Sequence, residues 1–390
     1  MMAGLQGEIG PLMRRGPRPV LLHLMHAMQR SSGWPAWSPT LSAGLPISNI
    51  ADPPVAALRD TAALIAGIAA YRRHPYRREL PDPPCVWQEG DSRVLDYANP
   101  SASGPPVLFV PSLVNRAYVL DLAENASMMR YLARQGLRVR LLDWGWPGPM
   151  EREFGLTDYI TGRLERAVAS QAEPVVLVGY CMAGLLTTAL TLRRPDLVAA
   201  LGLLATPWDF HAADAARAQH LASQLPMLEP LLSLGKTLPV DALQMLFALL
   251  DPDGIARKYT GFGRTDPNSP QARRFVMLED WLNDGIPLAA PVARDCLTSW
   301  YGANAPGRGA WRVGGQTIAP EQIEIPTFIA IPTQDRIVPP ESARPLAARM
   351  PHATVIEPKA GHIGMVAGSA AETALWQPLL AWIRALDSRR

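Results

Sequence analysis

The sequence predicts an α/β fold: a mostly parallel sheet with helices on both faces, broken by a helical insertion. Three observations predict it. Short apolar runs alternate with amphipathic stretches from about residue 85 to residue 206. Two further apolar runs appear after residue 320, and the chain between them, about 207 to 318, is rich in Leu, Met, Pro and Trp with no convincing strand. The stretch Glu173–Leu192, EPVVLVGYCMAGLLTTALTL, moves from a buried strand through a turn of small residues into a run of good helix formers.

The elements follow in order. Residues 1–84 read as an N-terminal helical arm. Val20–Arg30 would be a short amphipathic helix with Leu21, Leu24, Met25 and Met28 on one face. SSGWPAWSPT then breaks it. Pro53–Tyr71 is a stronger helix, capped by Asp52, with Val55, Leu58, Ala62, Ile65 and Ile68 at helical spacing. It ends in Arg72-Arg73-His74-Pro75-Tyr76-Arg77-Arg78, read as a solvated cluster rather than an anion site. The first part of the core, residues 85–206, contains early strands at Val86-Trp87 and Val94-Leu95 and a buried one at Pro106–Val110. A helix over Asp121–Gln135 is closed by Gly136. The strand Leu137–Asp143 leads into a WGWPGP turn, and Leu156–Ala169 forms the next helix. After the strand at Val175–Val178 and its helix comes the strand Val198–Leu204. Residues 207–320 read as a helical cap. The second part of the core, residues 321–390, supplies strands in PTFIAIP and ATVIE and an amphipathic helix, Ala370–Leu386.

Composition narrows the function. The 390 residues are 48% hydrophobic and 18% charged, with a net charge of +2, which makes no electrostatic case for nucleic acid. Cys85, Cys181 and Cys296 stand at wide, unrelated spacings that suggest neither a disulfide framework nor a metal site, and a reducing, cytoplasmic setting fits them. No apolar run approaches the ~20 residues that span a bilayer. The arginines and apolar run near the start resemble a signal peptide. His23, His26 and two prolines argue against one, and the start is read as a mature N-terminus.

The chemistry gathers at Gly179-Tyr180-Cys181-Met182-Ala183-Gly184. Strand, tight turn and helix around one reactive side chain make a nucleophile elbow, with Cys181 as nucleophile and Ala183 where G-x-S-x-G has its second glycine. A cysteine in an apolar segment is more often a small buried hydrophobe, so its partners decide the matter. A thiol needs a base, and the base needs a group that fixes its tautomer. Asp335 follows the PTFIAIP strand. His362 follows the last strand, between Gly361 and Ile363-Gly364. The order nucleophile, acid, histidine is that of an α/β-hydrolase fold. Asp335 could instead only cap its turn, and His211, His220 and His352 remain alternatives to His362. The oxyanion hole would use the amide of Met182 and one from the loop at Ser112-Leu113, here assigned to Leu113. No metal site is expected.

VLFVPSLVNRAYVLDL, LLDWGWP, DYI, GYCMAG, LLATPWDF, DRIVPP and GHIG together resemble a polyhydroxyalkanoate synthase over about residues 50–385. FVMLEDWLNDG is closest to the short, two-component class. The resemblance implies an acyltransferase that polymerises 3-hydroxyacyl-CoA, with Cys181 acylated, His362 as base, and Asp335 as its partner or as activator of the chain-end hydroxyl. It implies CoA thioester as substrate with no cofactor, and a growing polyester chain. It further implies a homodimer or a partner synthase subunit, and a cytoplasmic place at the polymer granule surface. Thiolate attack on a thioester is nearly isoenergetic and transfer to a hydroxyl runs downhill, so a cysteine suits this reaction. A hydrophobic cap would keep water from the acyl-enzyme. The competing readings are a cysteine-dependent hydrolase of thioesters, esters or lactones, and a non-catalytic scaffold.

Overall fold

A computed structural model describes residue 14 and residues 16–25, 55–248 and 253–387. The expected cap at Asp52 and residues 26–30 of the expected Val20–Arg30 helix lie outside the described residues; residues 20–25 are helical. Contacts divide the chain into two units, residues 1–77 with 244–283, and residues 78–243 with 284–390.

The first unit is helical. Val55–Arg73 packs with Gly254–Phe262 and Pro270–Asn283 around Leu64, Ile68, Tyr71, Tyr259, Phe262 and Val276. Gly67 lets two backbones meet, because a Cβ there would lie 1.9 Å from the Tyr259 carbonyl oxygen. Phe262 and Phe275 stack with centroids 4.3 Å apart. Tyr71 donates to Asp280 at 2.7 Å, whereas the buried Tyr259 hydroxyl finds no hydrogen-bond partner among the described residues.

The second unit carries the sheet. Its strands are β1 (Cys85–Glu89), β2 (Ser92–Asp96), β3 (Pro106–Val110), β4 (Arg138–Asp143), β5 (Val175–Tyr180), β6 (Val198–Leu204), β7 (Thr327–Ala330) and β8 (Thr354–Ile356). They lie in the order β1-β2-β4-β3-β5-β6-β7-β8. β2 runs antiparallel to both its neighbours, β1 and β4, and the other strand pairs of the sheet are parallel. Every residue of β3 and β5 is buried, which is why their sequences are unbroken apolar runs rather than alternating ones.

The helix expected over Asp121–Gln135 is shorter. Asp121–Ala123 and Ala126–Ser127 pair as a small ladder, and the helix runs only over Met128–Arg134. Asp121 does not start it because its buried carboxylate accepts from Arg130 at 2.8 Å and from the Tyr97 hydroxyl at 3.1 Å. Ser127 caps it instead, accepting from the Arg130 amide at 3.0 Å. Within 207–318 there are two-residue ladders at Thr237–Leu238 with Leu288–Ala289, and at Arg312–Val313 with Gln316–Thr317, which the sequence reading lacked. Of the basic run, Arg72, Arg73 and Arg77 are exposed, whereas Arg78 donates to the Asp121 carbonyl at 3.0 Å.

Candidate active site

The C-terminal ends of the parallel strands define one edge of the sheet, where α/β folds place their reactive groups. β5 ends at Tyr180, and Cys181 follows with φ +58°, a left-handed backbone that a non-glycine residue adopts only under constraint. The constraint is visible. The Cys181 amide donates to the Leu204 carbonyl at 2.8 Å, and the Cys181 carbonyl accepts from Gly184 at 2.9 Å. The turn also presses helix against sheet. A Cβ at Gly184 would lie 1.9 Å from Thr206 Oγ1, and one at Gly179 would lie 2.4 Å from Thr187 Oγ1. Position 183 holds a fully buried alanine.

The helix Ala183–Arg193 begins at this turn and is buried from Ala183 to Thr191. Its three threonines bury no unpaired hydroxyl: Thr187 and Thr188 donate to the Gly184 carbonyl and Thr191 to that of Thr187. The first amides of the helix are therefore aimed, with its dipole, at the Cys181 side of the sheet.

Asp335 and His362 stand on the loops after β7 and β8. The structure brings them together, His362 Nδ1 lying 2.6 Å from Asp335 Oδ2 with both side chains nearly sealed from solvent. The other carboxylate oxygen accepts from the Ile337 amide at 2.8 Å and the Val338 amide at 2.9 Å. The two roles considered for Asp335, turn cap and histidine partner, are thus performed by separate oxygens. His362 opens the short helix His362–Ala367. Burial pushes its imidazole down, but the charge of Cys181, then that of Asp335, and hydrogen bonds to both outweigh it and hold the pKa up at about 10. The alternative histidines are elsewhere engaged or exposed: His211 Nε2 lies 2.7 Å from the Tyr301 carbonyl, and His220 and His352 are exposed.

The remaining candidates are amides. β3 pairs in parallel with β5, Val110 opposite Gly179, so the Pro111-Ser112-Leu113 loop leaves the sheet beside the Cys181 turn. Neither Met182 nor Leu113 spends its N–H on a turn, loop or cap hydrogen bond among the described residues. Ser112 Oγ accepts from Val114, leaving the loop folded back on itself.

Two side chains here had no role in the sequence reading. Trp144, buried in the turn after β4, donates from Nε1 to the Pro111 carbonyl at 2.8 Å and so ties down the Leu113 loop. Tyr180 lies against the His362 ring, with centroids 5.1 Å apart and planes 29° apart. The available signal was adjacency, since Tyr180 directly precedes the cysteine and the WGWPGP turn follows the neighbouring strand. On the far side, Tyr301 is half-buried, and desolvation, then the charges of Cys296 and Cys181, raise its phenol. Phe210 packs edge-on to Tyr301 and stacks on Trp300.

A family model described as the alpha/beta hydrolase fold matches residues 105–368. The chain is similar to the poly(3-hydroxyalkanoate) polymerase subunit PhaC of Haloferax mediterranei, 28% identical over 307 residues, which cover 76% of this chain and 62% of that protein. The subunit of the same name from Haloarcula marismortui is 27% identical, over 71% of this chain and 60% of the relative. That of Allochromatium vinosum is 28% identical, over 73% and 82%. The chain thus spans less than two thirds of the first two relatives and most of the third. Among solved structures, a carboxylesterase of Nitrososphaera gargenis superposes with a TM-score of 0.50 at 10% identity, over 77% of this chain and 99% of that one, a likeness of fold. No helix among the described residues is long and apolar enough to cross a membrane.

Proposed function

The chain belongs to the alpha/beta hydrolase fold family, and from that premise we propose that it is a cysteine acyltransferase that polymerises 3-hydroxyacyl-CoA. The observation that carries this reading is a cysteine on a left-handed elbow, near enough to a buried histidine for its charge to raise the imidazole's pKa, with that histidine's Nδ1 held 2.6 Å from a carboxylate. The similarity to the polymerase subunits supplies the substrate class.

In this reading His362 takes the Cys181 thiol proton, and Asp335 holds the imidazole in the right tautomer and balances the imidazolium. The thiolate attacks the thioester carbonyl. The amides of Met182 and Leu113 face the oxyanion, which collapses with loss of the CoA thiolate, protonated by His362. The acyl group is now a thioester on Cys181. The 3-hydroxyl of a second acyl unit gives its proton to His362 and attacks. An ester forms, and Cys181 is released as the thiol. CoA enters as substrate, and no cofactor takes part. Phe210, Trp300 and Tyr301 supply apolar surface that disfavours water as the competing nucleophile.

The relatives are named as subunits, which supports work in an assembly, as a homodimer or with a partner synthase subunit. A polymer granule surface is the corresponding place of action. The test is mass spectrometry of the protein after brief exposure to 3-hydroxybutyryl-CoA. An acyl adduct on the Cys181 peptide, absent from Cys181→Ala, is expected. Turnover without an adduct, undiminished in that variant, would refute the reading.

A further inference from the structure

His362 is gripped by more than its two polar partners. The Tyr180 ring is stacked on the imidazole, and the Tyr180 hydroxyl donates to the backbone carbonyl of the same residue at 3.2 Å. Tyr180 is itself 4% exposed and held in β5, the strand that also delivers Cys181. One side chain thus fixes both the main chain of the histidine and the rotation of its ring. His362 opens a helix of only six residues, so little else on its own element restrains it.

We propose that Tyr180 is a positioning residue for His362: its ring and hydroxyl hold the imidazole facing Cys181 and Asp335 together, and its π face favours the imidazolium. This rests on the reading of Cys181 as nucleophile and His362 as its base. The aromatic face is electron-rich, so a stacked cation gains more from it than the neutral ring does. The groups facing the imidazole are Cys181 and Tyr180 from β5 and its turn, and Asp335 from the loop after β7. The elements packed on the His362–Ala367 helix, Ala117–Leu120 and Glu372–Trp376, carry Tyr118 and Glu372, neither of which adds to its electrostatics. The ionised form of Tyr180 is disfavoured by burial and by the charges of Cys181 and Asp335, so it acts as a neutral phenol.

The test compares Tyr180→Phe, which keeps the stack and loses the hydroxyl bond, with Tyr180→Leu and Tyr180→Met, which lose both. Labelled-histidine NMR of the full chain, with His362 assigned through His362→Gln, reads the imidazole midpoint, and turnover of 3-hydroxybutyryl-CoA gives kcat and KM. In the non-aromatic variants the midpoint should fall by about one pH unit, and kcat by about 10- to 100-fold with KM within about twofold. In Tyr180→Phe the midpoint should hold and kcat should fall by a few-fold, as expected on losing one neutral hydrogen bond. A folded leucine or methionine variant with unchanged midpoint and kcat would overturn the proposal, as would a phenylalanine variant indistinguishable from the parent. If the parent turns over no acyl-CoA, the polymerase reading fails, and the midpoint shift still decides the role of Tyr180.

Discussion

Replacing Asp335 by asparagine alters the atom that faces the histidine and spares the one that caps the turn. Oδ1 can go on accepting from Ile337 and Val338. The new amide nitrogen then stands where Oδ2 lay, 2.6 Å from Nδ1 of His362. An amide N–H there requires Nδ1 to accept, which places the ring proton on the nitrogen that should receive the thiol proton. A triad histidine trapped in the wrong tautomer loses on the order of 10⁴ in kcat. The stability cost is that of one charge-assisted hydrogen bond, about 1.5–3 kcal/mol. Asp335→Ala, by contrast, also frees the two turn amides, and should cost a further ~1–3 kcal/mol if either stays buried and unpaired. Thioester turnover and thermal unfolding on the three proteins measure both effects. An asparagine variant with kcat near the parent value, or an alanine variant as stable as the asparagine one, would refute the division of labour between the two oxygens.

Other predictions follow from the same geometry. The His362 pKa is raised in the folded chain to about 10 from 6.5. Its contribution to stability is therefore complete below about pH 6.5 and lost as pH rises through about 10. Thermal unfolding across that window should show the decline, and Asp335→Asn should flatten it. Gly184→Ala should lower stability by about 1–3 kcal/mol or more, because its Cβ meets Thr206 at 1.9 Å. Ala183→Gly should cost only about 0.5–1 kcal/mol, and the reverse ranking in a denaturant titration would contradict this account of the elbow. Trp144→Phe removes the bond to the Pro111 carbonyl. It should lower kcat about tenfold with little change in KM, read by steady-state kinetics, if the Leu113 amide works in the transition state.

The sheet could be read from the sequence because its strands are buried on both faces. PVLFV and VVLV admit no other economical reading once turn residues bound them. The candidate residues could be proposed because the fold ties chemistry to strand ends, so Cys181, Asp335 and His362 are picked by position rather than by type. The Asp121–Gln135 helix was misjudged because spacing registers apolar periodicity and not the destination of a carboxylate. Asp121 serves Arg130 and Tyr97, and the chain extends before Ser127 begins the helix. Nor does the stripe on Val55–Arg73 name its partners. Tyr259, Phe262 and Val276 lie about two hundred residues away, and only folding joins them. Tyr180 escaped notice for the same reason. Its importance lies in the residue it touches across the sheet edge, 182 positions later.

The most direct test is incubation of the full chain with 3-hydroxybutyryl-CoA, following free CoA and product length, with Cys181→Ala alongside. Polyester accumulating with CoA release, and neither in the alanine variant, is the expected result. Release that yields only free 3-hydroxybutyrate, or that persists without Cys181, would contradict a cysteine-based polymerase.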